Sequence, residues 1–473
     1  MAAPPETPPE DALRARFDLL HRASRAQLEV PLAVRERRLE RLAALVREHV
    51  DALAQAISDD FGHRSRHETL LLEALPTLEA IGHARKRLAR WMRPQRRPVS
   101  TWSRPAQARL IPQPLGLAGI IVPWNYPLLL ACSPLCAALA AGNRAMVKMS
   151  EYTPRTGALF AELVRRHFDE DELWVVNGGP EVGAAFAALP FDHLLFTGST
   201  SVGRRVMRAA ADNLTPVTLE LGGKSPAIVA PGYPLHKAAE RIMAGKLYNA
   251  GQTCVAPDYA LVPRGQEQAF LEAARAVVQR LHPDIAHTPH YSSIVNDRHF
   301  ERLQELVQDA GARGARVVPL SQASADPAGR RFPPVALTGL DDAMRVMQDE
   351  IFGPILPVLP YDDIAHAVEH VNAHPRPLAL YLFDNERERI EQVLRGTVAG
   401  GVCVNDTLVH LGQEELPFGG VGPSGMGQYH GEEGFRTFSK MKGVFLQSRV
   451  NALSLFNPPY GRLTDLLARL LLR

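Results

Sequence analysis

Cysteine is scarce in this chain, with Cys132, Cys136, Cys254 and Cys403 the only four among 473 residues. So few cannot staple a chain of this length, which excludes a disulfide-built scaffold and fits a reducing compartment such as the cytoplasm. A charge excess is also missing. Lys and Arg number 53 against 51 Asp and Glu, a formal net charge of +2, so no global field argues for nucleic acid. Residues 1–10 have neither a basic start nor an apolar stretch and read as a frayed tail, not a signal peptide. Long uncharged runs are nearly absent as well. Residues 111–143 hold no Asp, Glu, Lys or Arg, but Pro112, Pro114, Pro123, Pro127 and Pro134 break them and Asn125 sits midway. A strand, a tight turn and a buried helix explain that stretch better than a transmembrane segment. Cys132 and Cys136 lie four apart in it with no second ligand pair nearby, so no metal site is expected.

What remains is an ordinary soluble composition, 46% hydrophobic and 22% charged, in a chain long enough for two or three domains. Residues 11–91 read as helices, with Leu39, Leu42, Ala43, Val46 and Val50 at helical spacing. The basic run from Arg85 to Arg97 reads as a solvated helix end. Strands then alternate with helices. Strands are expected at 117–122, 145–149, 173–176, 194–197 and 217–221, and helices at 128–141, 154–168, 182–189 and 202–211. Short, continuously apolar strands in strict alternation with helices imply a doubly wound parallel α/β sheet covered on both faces. Ligands in such sheets lie beyond the carboxyl ends of the strands. A second αβ series begins near Ser225, with strands near 259–262, 316–320, 355–359, 379–383 and 402–404. From 416 onward the chain reads as glycine-rich loops, closed by an apolar-basic helical segment at 463–472. That segment is too short to span a bilayer and could cap a partner or make weak peripheral membrane contact.

Several stretches could carry chemistry. Gly251-Gln252-Thr253-Cys254-Val255-Ala256-Pro257-Asp258 places a cysteine in a turn between a helical run and a strand. Phe196-Thr197-Gly198-Ser199-Thr200-Ser201-Val202-Gly203 leaves a strand and opens a helix, so free N–H groups there could meet a diphosphate; helix capping by Ser199 is the plainer reading. The literal Gly-x-Gly-x-x-Gly at 420–425 follows no strand and contains Pro423, so it is set aside as a phosphate loop. Lys148 and Glu151 end another strand and could hold ribose hydroxyls or be solvated turn charges. In 217–221, Val217, Leu219 and Leu221 share one face and Glu220 the other. A carboxylate in an apolar strand is costly to bury; a salt bridge to Lys224 or a general base would explain it. Asn125, in Pro123-Trp124-Asn125-Tyr126-Pro127, is either a turn residue or an oxyanion donor.

Together Pro123-Trp-Asn-Tyr-Pro127, Phe196-Thr-Gly-Ser-Thr200, Glu220-Leu-Gly-Gly-Lys-Ser-Pro226, Gly251-Gln-Thr-Cys254, Glu350-Ile-Phe-Gly-Pro354 and Leu416-Pro-Phe-Gly-Gly-Val421 resemble the aldehyde dehydrogenase superfamily, in its order and over nearly the whole chain. Gly425-Met-Gly-Gln-Tyr-His-Gly431 looks like the class 3, fatty-aldehyde-type branch. Asp60-Phe-Gly-His-Arg-Ser65 with Glu68-Thr69 looks like its coniferyl aldehyde dehydrogenase subgroup. The resemblance implies a Rossmann-type cofactor domain (1–91 and 112–222), an α/β catalytic domain (223–413) and a bridging or oligomerisation element (92–111 and 414–473). It implies a homodimer that uses NAD, with NADP possible, and oxidises aromatic or longer aliphatic aldehydes to acids.

Cys254 would be the nucleophile, Glu220 the base for hydrolysis, and Asn125 with the Cys254 N–H the oxyanion donors. Glu350, with Phe352 beside it, would bind the nicotinamide ribose. Lys148 and Glu151 would bind the adenosine ribose, and Trp124, Gly198, Ser199 and Gly203 would lie by the diphosphate. Relatives that pass the acyl group to coenzyme A generally lack the glutamate, so Glu220 argues for hydrolysis. An intact Cys254, Glu220 and Asn125 set argues against a non-catalytic structural relative.

Overall fold

The computed structural model describes residues 10–451 and 453–472, so most of the expected N-terminal tail lies outside the described residues. Three sheets organise the chain. The first has six strands in the order Gly425–Met426, Val217–Glu220, His193–Thr197, Leu117–Ile121, Arg144–Lys148 and Leu173–Val176. Its four parallel pairings build outward from Leu117–Ile121, because later strands are added on both sides of it. Ile121 faces both Lys148 and Phe196, and Thr197 faces Glu220. The chain therefore leaves four neighbouring strands at one edge, the place where a doubly wound sheet opens a crevice.

Both faces of that sheet are covered. Leu129–Ala141 is apolar on every side and buried along almost its whole length, as a helix without a polar stripe must be. Leu32–Phe61 puts Leu39, Leu42, Val46, Leu53 and Ile57 into the same core. On the opposite face, Leu13, Phe17 and Leu20 of the Glu10–Ala26 helix pack with Val182, Phe186 and Leu194. Each such side chain contributes about 1.5–3 kcal/mol by burial.

The second sheet has seven strands, in the order Arg316–Pro319, Val335–Thr338, Ile355–Tyr361, Tyr259–Pro263, Pro226–Val229, Ala379–Phe383 and Gly401–Val404. The third is antiparallel and joins Gln95–Arg97, Gln107–Pro114 and Ser439–Leu446.

The structure corrects the expected strand pattern in three ways. The first two sheets are parallel except at one edge each, where Gly425–Met426 and Arg316–Pro319 run antiparallel. Pro226–Val229 and Val335–Thr338 are strands that no sequence pattern marked; each is four residues long, and inside a covered sheet alternation disappears. The segment after 416 is not all loop, since Ser439–Leu446 pairs along its full length with Gln107–Pro114. The closing helix is present at Arg462–Leu471 with Leu463, Leu466 and Leu470 exposed. Among the described residues no helix is long and apolar enough to cross a membrane.

Candidate active site

The turn after Leu117–Ile121 is held from beneath by a buried ion pair. Arg64 and Glu73 approach to 2.9 Å with both side chains fully buried. Glu73 also accepts from the N–H groups of Leu128 (2.8 Å) and Leu129 (3.1 Å), satisfying free donors at the start of the Leu129–Ala141 helix. Arg64 donates to the backbone carbonyl of Asn125 at 2.8 Å and lies 4.7 Å from the ring centre of Tyr126. Asn125 itself is 3% exposed, and its side-chain amide donates to the Gln252 carbonyl at 3.2 Å. One turn from the first sheet is thus fastened to the cysteine turn of the second.

The cysteine turn is strained and tightly held. After the Leu235–Leu247 helix, Asn249 and Ala250 both have φ 51° and Gly251 has φ 80°. Left-handed backbone costs a non-glycine residue about 1–2 kcal/mol, so neighbours must impose it. A Cβ on Gly251 would also strike the Gly353 carbonyl group. Asn249 takes Glu68 on its N–H (3.1 Å) and gives its side-chain amide to the carbonyls of Asn125 (3.0 Å) and Gln252 (3.2 Å). The Gln252 side chain bonds Asn249, Ser293 and Val295. Tyr126 and Thr253 share a hydroxyl bond of 2.7 Å, and Tyr381 donates to the Val255 carbonyl. Cys254, half-buried, sits in the middle. Burial pushes its thiol up to about 12; Glu350 and Glu220 add to the rise, and the N–H groups of Cys254 and Val255 oppose it. The free protein therefore holds Cys254 as a thiol.

Glu220 is 2% exposed and neither carboxyl oxygen has a hydrogen-bond partner. Burial raises its pKa well above the usual carboxylate range. The salt bridge to Lys224 that the sequence allowed is not formed. Lys224 pairs with Asp258 and donates to the carbonyls of Val346 (2.7 Å) and Asp349 (3.1 Å). Asp258 in turn accepts from the Ile351 N–H at 3.0 Å, and Arg302 donates to the Glu350 carbonyl at 3.2 Å. These bonds fix the segment that carries Glu350. The Glu350 carboxyl lies where a Cβ on Gly222 would be, and its Oε1 is buried without a partner. Burial, then Asp258, push it up to about 8. Phe352, at φ 52°, sets its ring edge-on to Trp124 at 5.4 Å.

Lys148 is 3% exposed, so a solvated turn charge is excluded for it. Its Nζ donates to the carbonyls of Met149 (2.8 Å) and Gly178 (2.7 Å) and lies 3.5 Å from Glu151, which stays about one-third exposed. Ser199 caps the Thr200–Ala211 helix, its Oγ accepting from the Val202 N–H at 3.4 Å. Gly198 and Gly203 permit close packing: a Cβ would come 2.5 Å from the Phe196 ring and 2.7 Å from Leu221, respectively. The glycine loop set aside as a phosphate site is a strand partner instead, with Gly425 facing Glu220 across the ladder.

The chain matches the aldehyde dehydrogenase family over residues 10–444. It belongs to that family. A protein of Pseudomonas aeruginosa described as a probable coniferyl aldehyde dehydrogenase is 53% identical over 447 residues, 94% of this chain and 93% of that protein. The coniferyl aldehyde dehydrogenase of Pseudomonas sp. strain HR199 is 46% identical over 455 residues, 95% and 94% of the two chains. The solved Staphylococcus aureus AldH in its substrate-bound state superposes with a TM-score of 0.91 at 36% identity, covering 97% of this chain and 99% of that one. As a family member, the chain is an aldehyde dehydrogenase, catalysing nicotinamide-dependent oxidation of an aldehyde. In this dehydrogenase Cys132 and Cys136 are core thiols whose pKa burial raises.

The sequence reading missed the residues that hold the site. Arg64 and Glu73 come from segments far from the cysteine turn, whereas Asn249, Gln252 and Asp258 lie within five residues of Cys254 but were given no role. Tyr429 was also missed. It is buried and packs its ring 5.9 Å from Phe418; burial first, then the nearness of Glu220 and Cys254, raises its hydroxyl pKa.

Proposed function

We propose that this enzyme oxidises aromatic aldehydes of the coniferyl type to the carboxylic acid, with Cys254 as nucleophile, Glu220 as base and Asn125 as oxyanion donor. The observation that carries this reading is the partnerless buried carboxyl of Glu220 within electrostatic reach of the Cys254 thiol. Perturbed groups of that kind gather where proton transfer is needed. Cys254 gives up its proton to solvent and its Sγ, as thiolate, bonds the aldehyde carbon, giving a thiohemiacetal. The Asn125 amide and the Cys254 N–H stabilise the oxyanion. The nicotinamide, when bound, supplies the hydride acceptor. Glu220 then takes a proton from water that attacks the resulting thioester, releasing the acid and restoring the cysteine.

The residues fit a dinucleotide. Glu350 Oε1 is a buried acceptor lacking a donor, which a ribose hydroxyl would supply. The helix opening at Thr200 presents N–H groups to a diphosphate, beside Trp124. Glu151 opposes a 2′-phosphate, which favours NAD over NADP. Names of relatives support the substrate class, and the Phe418 and Tyr429 rings support an aromatic one. We extend the proposal to a cytoplasmic homodimer formed through 92–111 and the C-terminal region, with exposed Trp102 and Phe445 favouring that face. The cofactor, catalytic and bridging regions would be 1–91 with 112–222, 223–413, and 92–111 with 414–473. The exposed leucines of Arg462–Leu471 favour weak peripheral membrane contact.

A kinetic panel tests the reading: coniferyl aldehyde, benzaldehyde and a graded alkanal series, each with NAD and NADP and without coenzyme A. The highest kcat/KM is expected for coniferyl aldehyde with NAD, with acid as product and both NADH and acid lost in Cys254→Ala. A coenzyme A requirement, or an alkanal optimum, overturns it.

A further inference from the structure

Away from the active site, three metal-ligating side chains converge between two elements. Asp342 stands in the loop before the short Arg345–Gln348 helix; His370 and His374 are four apart, at the end of the Ile364–Ala373 helix. One ligand atom from each can be chosen so that all lie within 4.8 Å of one another. His374 Nε2 is 3.4 Å from Asp342 Oδ1. Two ligands about 2.1 Å from a tetrahedral ion are separated by about 3.4 Å, so that edge is already set.

The His374 tautomer is set as well. His374 Nδ1 lies 2.7 Å from the His370 carbonyl, so it carries the proton and leaves Nε2 as a lone-pair donor. A ligating imidazole is commonly oriented by such a bond from its other nitrogen. His370 Nε2 is buried and has no hydrogen-bond partner. The two rings lie 4.5 Å apart, and Tyr259 packs edge-on against His370 at 5.6 Å, limiting its rotation.

We propose that Asp342, His370 and His374 bind one divalent transition-metal ion of the zinc class, pinning the loop that leads to Glu350 onto the Ile364–Ala373 helix. Two neutral imidazoles and one carboxylate are borderline ligands suited to Zn2+, with water completing the shell. The segment concerned runs from 339 to 349 and includes the short Arg345–Gln348 helix. The Gln348 side chain already donates to the Asp342 carbonyl at 3.2 Å, so a metal at Asp342 restrains the whole segment. The site is independent of the catalytic reading.

The test uses full-length, tag-free, metal-stripped protein titrated with Co2+ as a spectroscopic substitute for Zn2+. One equivalent is expected to develop a visible d–d band that Zn2+ displaces. The band should persist in Cys254→Ala and in His49→Ala, which removes the other histidine pair, His49 and His167, whose nitrogens lie 3.5 Å apart. His370→Gln and His374→Ala should each weaken binding by about 10- to 100-fold or more. Asp342→Asn should weaken it too; its side chain is 66% exposed, so folding is not at issue. Zn2+ should slow amide exchange across 339–349 in the parent only. Absence of the band, its survival in His370→Gln and His374→Ala, its loss in His49→Ala or Cys254→Ala, or unchanged exchange overturns the proposal.

Discussion

The side-chain amide of Asn125 donates to the carbonyl of Gln252, two residues before Cys254, at 3.2 Å. The residues come from turns on two different sheets, and Arg64 and Asn249 both bond the Asn125 carbonyl from the other side. The oxyanion donor and the nucleophile are therefore positioned by one network, and displacing either turn moves both.

Removing the base separates the two halves of the reaction. Glu220→Gln is expected to keep the first burst of NADH while steady turnover falls by about 10²–10⁴-fold. Because burial raises Glu220, the parent's deacylation should quicken as pH rises and the carboxylate forms. The variant should lose that limb. Stopped-flow absorbance across pH reads both, and a vanished burst with an unchanged steady rate contradicts the assignment.

Stability carries the same sign. Unfolded Glu220 ionises near pH 4.3, whereas the folded residue holds its proton to higher pH. Between those values the native state binds more protons, so this group's contribution to stability falls as pH rises. Glu220→Gln should therefore gain melting temperature relative to the parent as pH goes from about 5 to about 8. A constant offset in calorimetry across that range counts against a raised Glu220.

With a thiol pushed up to about 12, Cys254 in the free enzyme should be alkylated slowly at neutral pH, and faster by about tenfold per pH unit. Burial comes first, but Glu350 also raises the thiol. Since Glu350 itself ionises near 8, Glu350→Gln should speed alkylation only above about that pH. Iodoacetamide rates for the two proteins check this. A rate independent of pH between about 6 and about 9 contradicts a protonated cysteine.

Arg64→Ala leaves Glu73 buried without its cation. A cost of about 3–5 kcal/mol is expected, with kcat falling as the Asn125 turn loosens. Arg64→Met with Glu73→Gln should recover much of the stability but not the activity, because the bond to the Asn125 carbonyl stays lost. Denaturant titration and kcat on the same samples distinguish the two effects.

Glu151 gives the cofactor prediction. Its carboxylate stands near the surface, 3.5 Å from the Lys148 Nζ. Glu151→Gln should raise kcat/KM for NADP by about tenfold, the scale of one like-charge contact, and change that for NAD little. Equal changes for both cofactors remove the basis for preferring NAD.

The motifs around Asn125, Ser199, Glu220, Cys254 and Glu350 were legible in the sequence, because turn chemistry and strand alternation are local. So was most of the doubly wound order, since covered strands and amphipathic helices write their periods into a few consecutive residues. Pro226–Val229 escaped because a strand buried on both faces has no alternation to read. Ser439–Leu446 escaped because its partner, Gln107–Pro114, is over three hundred residues away. Only the tertiary structure decided that Lys224 serves Asp258, leaving Glu220 alone, and that Arg64 and Gln252 converge on Asn125. It also decided the protonation of Cys254: the pKa of a thiol depends on the burial and charges that surround it, and these are assembled from every part of the chain.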